Sequence, residues 1–211
     1  MFQDGSIELF QYWNHLRRGR PAPHRTEIAP GQIKTLLPDT FILERDELGS
    51  VLFRLAGTRM CSTYGRELKG HSFTALWSEK DRQAIARLVR RALADKSVLF
   101  ITFEGLGRDD RRNAFELLIL PVEGGDDHPR ALGTVQPIQK PFWLGAEPIL
   151  ENALESFRVI DPDREPLLLS SRKALTVPSL LPDSEALTET LAGVNGRRIR
   201  HLVVFDGGRR R

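Results

Sequence analysis

The sequence predicts an α+β fold, a five-stranded antiparallel sheet with helices packed on one face. Three observations carry this expectation. Strand patterns occur as a pair, then after a helical stretch as a run of three. The links within the run are short, polar and turn-rich, with no crossover helix, which disfavours a parallel arrangement. One strongly amphipathic helix separates the two groups and needs an apolar surface to cover.

The elements follow in order. Residues 7–16 read as an amphipathic helix, with Leu9, Trp13 and Leu16 at i, i+4 and i+7 on one face. Arg18-Gly19-Arg20-Pro21 ends it, and residues 21–38 are punctuated by Pro21, Pro23, Pro30 and Pro38. Thr40–Glu44 and Val51–Ala56 are apolar runs joined by a turn-rich link, which predicts a hairpin. Gly57 to Trp77 predicts short helical pieces broken at Gly65 and Gly70. Ser78 then stands as an N-cap with Asp81 three residues on, ahead of Ile85, Leu88, Val89, Ala92 and Leu93 at helical spacing. Val98–Glu104, Ala114–Val122 and Ala131–Ile138 are the last three strands. Beyond them the pattern predicts a short helix at Glu147–Phe157, apolar runs at Arg158–Ile160 and Pro166–Leu169, a helical turn at Asp183–Ala192 and a strand at Ile199–Phe205. The organisation expected is a helix and Pro-rich lead-in (1–37), a central α+β domain (38–145) and an extension (146–211).

The 211-residue chain carries 31 Lys+Arg against 28 Asp+Glu, a formal charge of +3, too small a surplus for a dedicated nucleic-acid binder. The exception is local: Arg197, Arg198, Arg200, Arg209, Arg210 and Arg211 crowd the end beside Asp206. Cys61 is the only cysteine, so an intramolecular disulfide and a multi-cysteine zinc site are excluded. With no signal-peptide pattern and no apolar run near the roughly 18 residues of a membrane span, the expected location is cytoplasmic. The sequence holds no P-loop, no G-x-S-x-G, no G-x-G-x-x-G and no H-E-x-x-H, and no defensible acid–base pair or triad.

The segment Phe53-Arg54-Leu55-Ala56-Gly57-Thr58-Arg59-Met60-Cys61-Ser62-Thr63-Tyr64-Gly65-Arg66-Glu67-Leu68-Lys69-Gly70 resembles the a-G-T … G-R-[DE]-L-x-G passage of PAS domains. Trp13, Arg18-Gly19-Arg20-Pro21 and Leu36-Leu37-Pro38 extend the likeness to an alphaproteobacterial single-domain PAS-like group, over about residues 8 to 145. The resemblance implies a non-catalytic sensory or signalling module that binds a small apolar or anionic ligand, a protein partner, or both. Candidate cavity residues are Arg54, Cys61, Tyr64, Phe73, Leu76, Trp77, Leu88 and Phe100, with a filled core as the alternative. For Arg54 the alternative is a solvent-facing position under strand alternation, with Phe53 and Leu55 turned inward. The flavin-photochemistry motif Asn-Cys-Arg-Phe-Leu-Gln of light-sensing relatives is missing, and residues 81–95 contain no His to match the haem-binding ones. No metal site is expected, and no cofactor is named. Leu9, Trp13 and Leu16 are candidates for a homodimer or docking face, unless that helix packs on its own domain. Two other functions stay open: a small enzyme using the same cavity, and a regulator touching nucleic acid through the Arg-rich end.

Overall fold

The structure is a computed structural model. It describes residues 3–124 and 128–164, and the backbone of two short strands at 196–199 and 202–205. It divides into two compact units, Met1–Ser171 and Arg172–Arg211.

In the first unit, α1 (Asp4–Arg17) leads into three 3₁₀ turns, the last at Leu37–Asp39. There follow β1 (Thr40–Arg45), β2 (Val51–Ala56), α2 (Thr58–Thr63), α3 (Glu79–Ala94), β3 (Val98–Leu106), β4 (Arg112–Val122), β5 (Arg130–Pro137) and β6 (Glu151–Ile160). The six strands form one antiparallel sheet in the order β2-β1-β5-β4-β3-β6. In the second unit β7 (Gly196–Ile199) and β8 (Leu202–Phe205) pair as an antiparallel ribbon, where one strand at Ile199–Phe205 was expected. The expectations at Pro166–Leu169 and Asp183–Ala192 lie outside the described residues.

The α+β class and its five expected strands are present, with two differences. The first is β6. The expected helix at Glu147–Phe157 is instead a strand that pairs with β3 from Val98↔Ile160 to Leu106↔Glu151. Helix-forming residues such as Ala153, Leu154 and Glu155 yield to the open edge of β3, since propensity is weak beside tertiary pairing. The second is α1, which lies on the sheet face opposite α2 and α3, so the sheet is covered on both sides.

Period-2 alternation explains why both covers are needed. In β3 and β4, Leu99, Ile101, Phe103, Phe115, Leu117 and Ile119 join the core under α2 and α3. Their neighbours Val98, Phe100, Leu118 and Leu120 join a second core with Leu9, Phe10 and Trp13 of α1. The three α1 side chains have no exposed surface, and burying each is worth about 1.5–3 kcal/mol. The Trp13 indole N–H donates to the Pro121 carbonyl at 2.7 Å, which fixes the helix laterally.

The expected cap of α3 takes another form. Ser78 makes no side-chain bond to the helix backbone. Its hydroxyl donates to Asp81 Oδ2 at 2.7 Å, and the same oxygen accepts the Leu154 N–H at 2.9 Å. Against the cost of burial, these two donors hold the Asp81 carboxyl below the usual range. The first turn of α3 is thereby tied to β6.

Gly133 on β5 faces Phe41 across the β1–β5 pairing. A Cβ at Gly133 would stand 2.2 Å from Phe41 Cζ and 2.7 Å from the Leu118 carbonyl oxygen, so the aromatic ring occupies the space a side chain would take. Gly133→Ala is expected to lower unfolding stability by roughly 1–3 kcal/mol, as overpacking does; urea denaturation checks this, and an unchanged midpoint would contradict the packing.

Candidate functional site

The inner core leaves little room for a ligand. Phe41, Phe53, Phe73, Trp77, Phe103 and Phe115 form a continuous series of ring contacts with centroids 5.1–6.3 Å apart. The space that remains is at its margin, where β1 and β4 begin, α2 crosses and β5 ends. A cavity of about 250 Å³ opens there, with Met60, Tyr64, Phe115 and Val135 among its apolar walls. Asp39, Arg59 and Lys140 supply its charges.

Local chain geometry puts each group in place. The turn at Leu37–Asp39 delivers Asp39 directly ahead of β1. Gly57 lets α2 start against that turn, because a Cβ there would meet the Leu37 carbonyl oxygen at 2.2 Å. Gly57 N–H donates to the Thr40 carbonyl at 2.8 Å, and two residues later Arg59 forms an ion pair with Asp39. The Asp39 side chain is 9% exposed and that of Arg59 54%. Burial pushes the Asp39 carboxyl above its usual range, against the pull of Arg59 and Lys140 and a hydrogen bond from Gln136. Two cations face one carboxyl there.

The Tyr64 hydroxyl is committed elsewhere: it accepts from Asn152 Nδ2 at 3.0 Å, and burial drives its ionisation far above the usual range. Thr63, at the end of α2, holds the segment leading into β6, its carbonyl accepting the Ile149 N–H at 2.8 Å.

Of the expected cavity residues, Tyr64 lines the cavity beside Asp39 and Arg59. Phe73, Leu76 and Trp77 are buried with Tyr64 in the inner core, and the Trp77 indole N–H has no hydrogen-bond partner among the described residues. Cys61 and Leu88 are half-buried at the edge of that core. The Cys61 thiol lies 3.7 Å from Glu67 Oε1, and burial with this carboxylate pushes it up, which suppresses the thiolate. Phe100 requires a correction. It lies on the other face of the sheet, in the α1 core, with the Arg158 guanidinium 5.9 Å from its ring centroid. Alternation along β3 decides this, since Leu99 and Ile101 take the inner positions.

Arg54 also points away from the inner core. It is exposed and pairs with Glu44 at 3.3 Å. Phe53 is inward as alternation requires, but Leu55 is 47% exposed, because a register shift at Ile42/Leu43 interrupts the pairing of β1 with β2. Leu9 and Trp13 are fully buried against their own sheet and Leu16 is half-buried. The sequence reading missed Asp39, Arg59 and Lys140. Arg59 lay inside the quoted segment, but only the fold brings it to the residue preceding β1.

Residues 1–136 match the PAS domain family. The chain belongs to it. PAS domains are typically sensory and signalling modules. This PAS domain protein is also 30% identical over 137 residues to nucleolar protein 9 of Neosartorya fischeri, covering 63% of this chain and 20% of that protein. It therefore spans about a fifth of that relative. Among solved structures, a PAS domain from Colwellia psychrerythraea is 18% identical, covering 54% of this chain and 100% of that one with a TM-score of 0.39. An RNA-binding light-oxygen-voltage receptor is 18% identical over 54% of this chain and 33% of its own, with a TM-score of 0.38. Among the described residues of the PAS protein no helix is long and apolar enough to cross a membrane, and no three His, Cys, Asp or Glu group as a metal site. The side chains of the Arg-rich end lie outside the described residues.

A second buried carboxyl follows Phe115 on β4 and meets the start of α1. Glu116 on β4 is 1% exposed and accepts the Gln3 N–H, ahead of α1, at 2.7 Å. Burial pushes its carboxyl up, outweighing the hydrogen bonds that favour the charge. A raised carboxyl binds more protons folded than unfolded, so stability falls as pH rises from the usual glutamate value of 4.5 through the folded one. Glu116→Gln keeps an acceptor for Gln3 and removes the charge. Urea midpoints of the two proteins should converge below the usual value and separate in favour of the variant towards neutrality; a gap that shrinks as pH rises would contradict this.

Proposed function

We propose that this chain is a non-catalytic PAS sensory or signalling adaptor whose ligand site is the Asp39–Arg59 cavity. The observation that carries the reading is the cavity itself: apolar walls, about 250 Å³, and an Arg and a Lys set against one carboxyl that burial already makes reluctant to ionise. Such a site fits a small molecule with an apolar body and an acidic group. The ligand's acid would take over Arg59, and Asp39 would give up its ion pair.

Support for an output route comes from what surrounds Asp39. Its backbone carbonyl accepts the Thr134 hydroxyl at 3.0 Å, and Thr134 in turn accepts Gln136 Nε2 at 2.9 Å. Gln136 presses on α1, where a Cβ at Gly5 would come within 2.6 Å of its amide nitrogen. A ligand that bound two arrangements of this chain of contacts unequally would shift the docking of α1. Its undocked form would offer Leu9 and Trp13, with Leu16, to a protein partner or a second copy. The buried carboxyls support a binding role over catalysis, since Asp39 is paired with Arg59 and Glu116 with the start of α1.

Native mass spectrometry of the purified chain, compared with the denatured chain, tests the reading. The expected result is a reproducible excess mass that vanishes on denaturation, or on adding benzoate a one-to-one adduct, in each case lost in Arg59→Gln. Adducts equally frequent in the variant would contradict the site.

A further inference from the structure

A second concave site lies on the other side of the sheet, where the chain after α1 runs over β1, β2 and β5. It is a groove of about 430 Å³, within the roughly 300–1,000 Å³ range of small-molecule sites. Ile28, Ile42 and Leu132 supply apolar surface, and three guanidiniums line it: Arg25, Arg54 and Arg130. They come from three separate elements, the 3₁₀ turn at Arg25–Glu27, β2 and β5.

The charge there is unbalanced. Glu44 of β1 is the acid that serves the groove, and one oxygen does the work twice: Oε2 accepts Arg130 Nε at 2.5 Å and Arg54 Nη1 at 3.3 Å. Arg25 has no ion-pair partner among the described residues, and no acid lines the groove. Each guanidinium has five donors in a rigid fork, so Arg54 and Arg25 retain most of theirs. The Arg130 side chain is only 17% exposed, which places its charge against apolar surface where an anion is held more strongly than in water.

We propose that this groove binds an aliphatic carboxylate, its chain on Ile28, Ile42 and Leu132 and its carboxylate in the fork of Arg54 and Arg25. The pairing needs both halves: the floor rewards burial of methylene groups at about 0.8 kcal/mol each, and the surplus guanidiniums select the charge. The site is separate from the Asp39–Arg59 cavity and does not depend on it.

Isothermal titration of the full chain with decanoate, below its micellar concentration, tests the proposal. Decanoate should bind one-to-one at this site and decan-1-ol at least about tenfold more weakly, the loss of charge-assisted hydrogen bonds. The double variant Arg25→Gln/Arg54→Gln, which changes exposed side chains only, should lose a similar factor. Glu44→Gln, which frees both of its arginines, should tighten binding, and Arg59→Gln should leave it unchanged. Equal binding of the alcohol, insensitivity to the double variant, or a response to Arg59→Gln would overturn the assignment. So would the absence of decanoate binding together with binding of an acidic, leucine-containing peptide.

Discussion

The central strands of this sheet are apolar on both faces, and most of the architecture answers that constraint. A one-sided domain would leave Val98, Phe100, Leu118 and Leu120 in water. Helix α1 and the Pro-rich segment after it cover them, so residues that look like a detachable N-terminal addition supply half of the second core. The lead-in contributes Ala22, Ile33 and Leu36 to the same cluster. Polar contacts then fix the register of the cover. The Trp13 indole meets Pro121, and the almost fully buried Arg17 guanidinium pairs with Asp163 just beyond β6.

Strand β6 connects the two covers. On the helical side Asn152 meets Tyr64, the Asn152 carbonyl accepts the Ser78 N–H at 2.9 Å, and Asp81 accepts the Leu154 N–H. At its far end Ile160 joins the α1 core and Asp163 holds Arg17. The strand thus closes the β3 edge, which unpaired would invite association with other chains. The two proposed sites occupy opposite faces of the same β1–β5 region, one beside Asp39 and one beside Glu44. Rearrangement of β1 would reach both, which is the physical content of a sensory reading for this fold.

Elements governed by local pattern were legible in the sequence. The five strands expected from alternation and turns are present, and α3 has the expected apolar stripe, with Ile85, Val89, Ala92 and Leu93 buried. The failures have one origin, that the partner surface is set by tertiary structure. Glu147–Phe157 has the pattern of a short helix, yet Glu151–Ile160 is a strand because β3 offers an edge. Phe100 was read as inward because an aromatic on an apolar strand has two buried options and sequence does not choose between them. For α1 the apolar face was visible, while its cover, its own sheet or a partner, was not. Asp39 and Arg59 are 20 residues apart and are joined only when β1 and β2 form their hairpin. Arg54 is a cavity candidate that stands outward, where the alternative of strand alternation puts it, although Leu55, inward under that alternation, is exposed as well.

The two-sided core requires α1 to be an integral layer of the domain. Equilibrium unfolding in urea of Trp13→Ala, followed by both far-ultraviolet circular dichroism and fluorescence, tests that most directly. Removal of a fully buried indole from a shared core should cost about 3–5 kcal/mol, with the two signals changing together in one transition. A loss below about 1 kcal/mol, or a separate early transition confined to helical signal while the sheet stays folded, would contradict it.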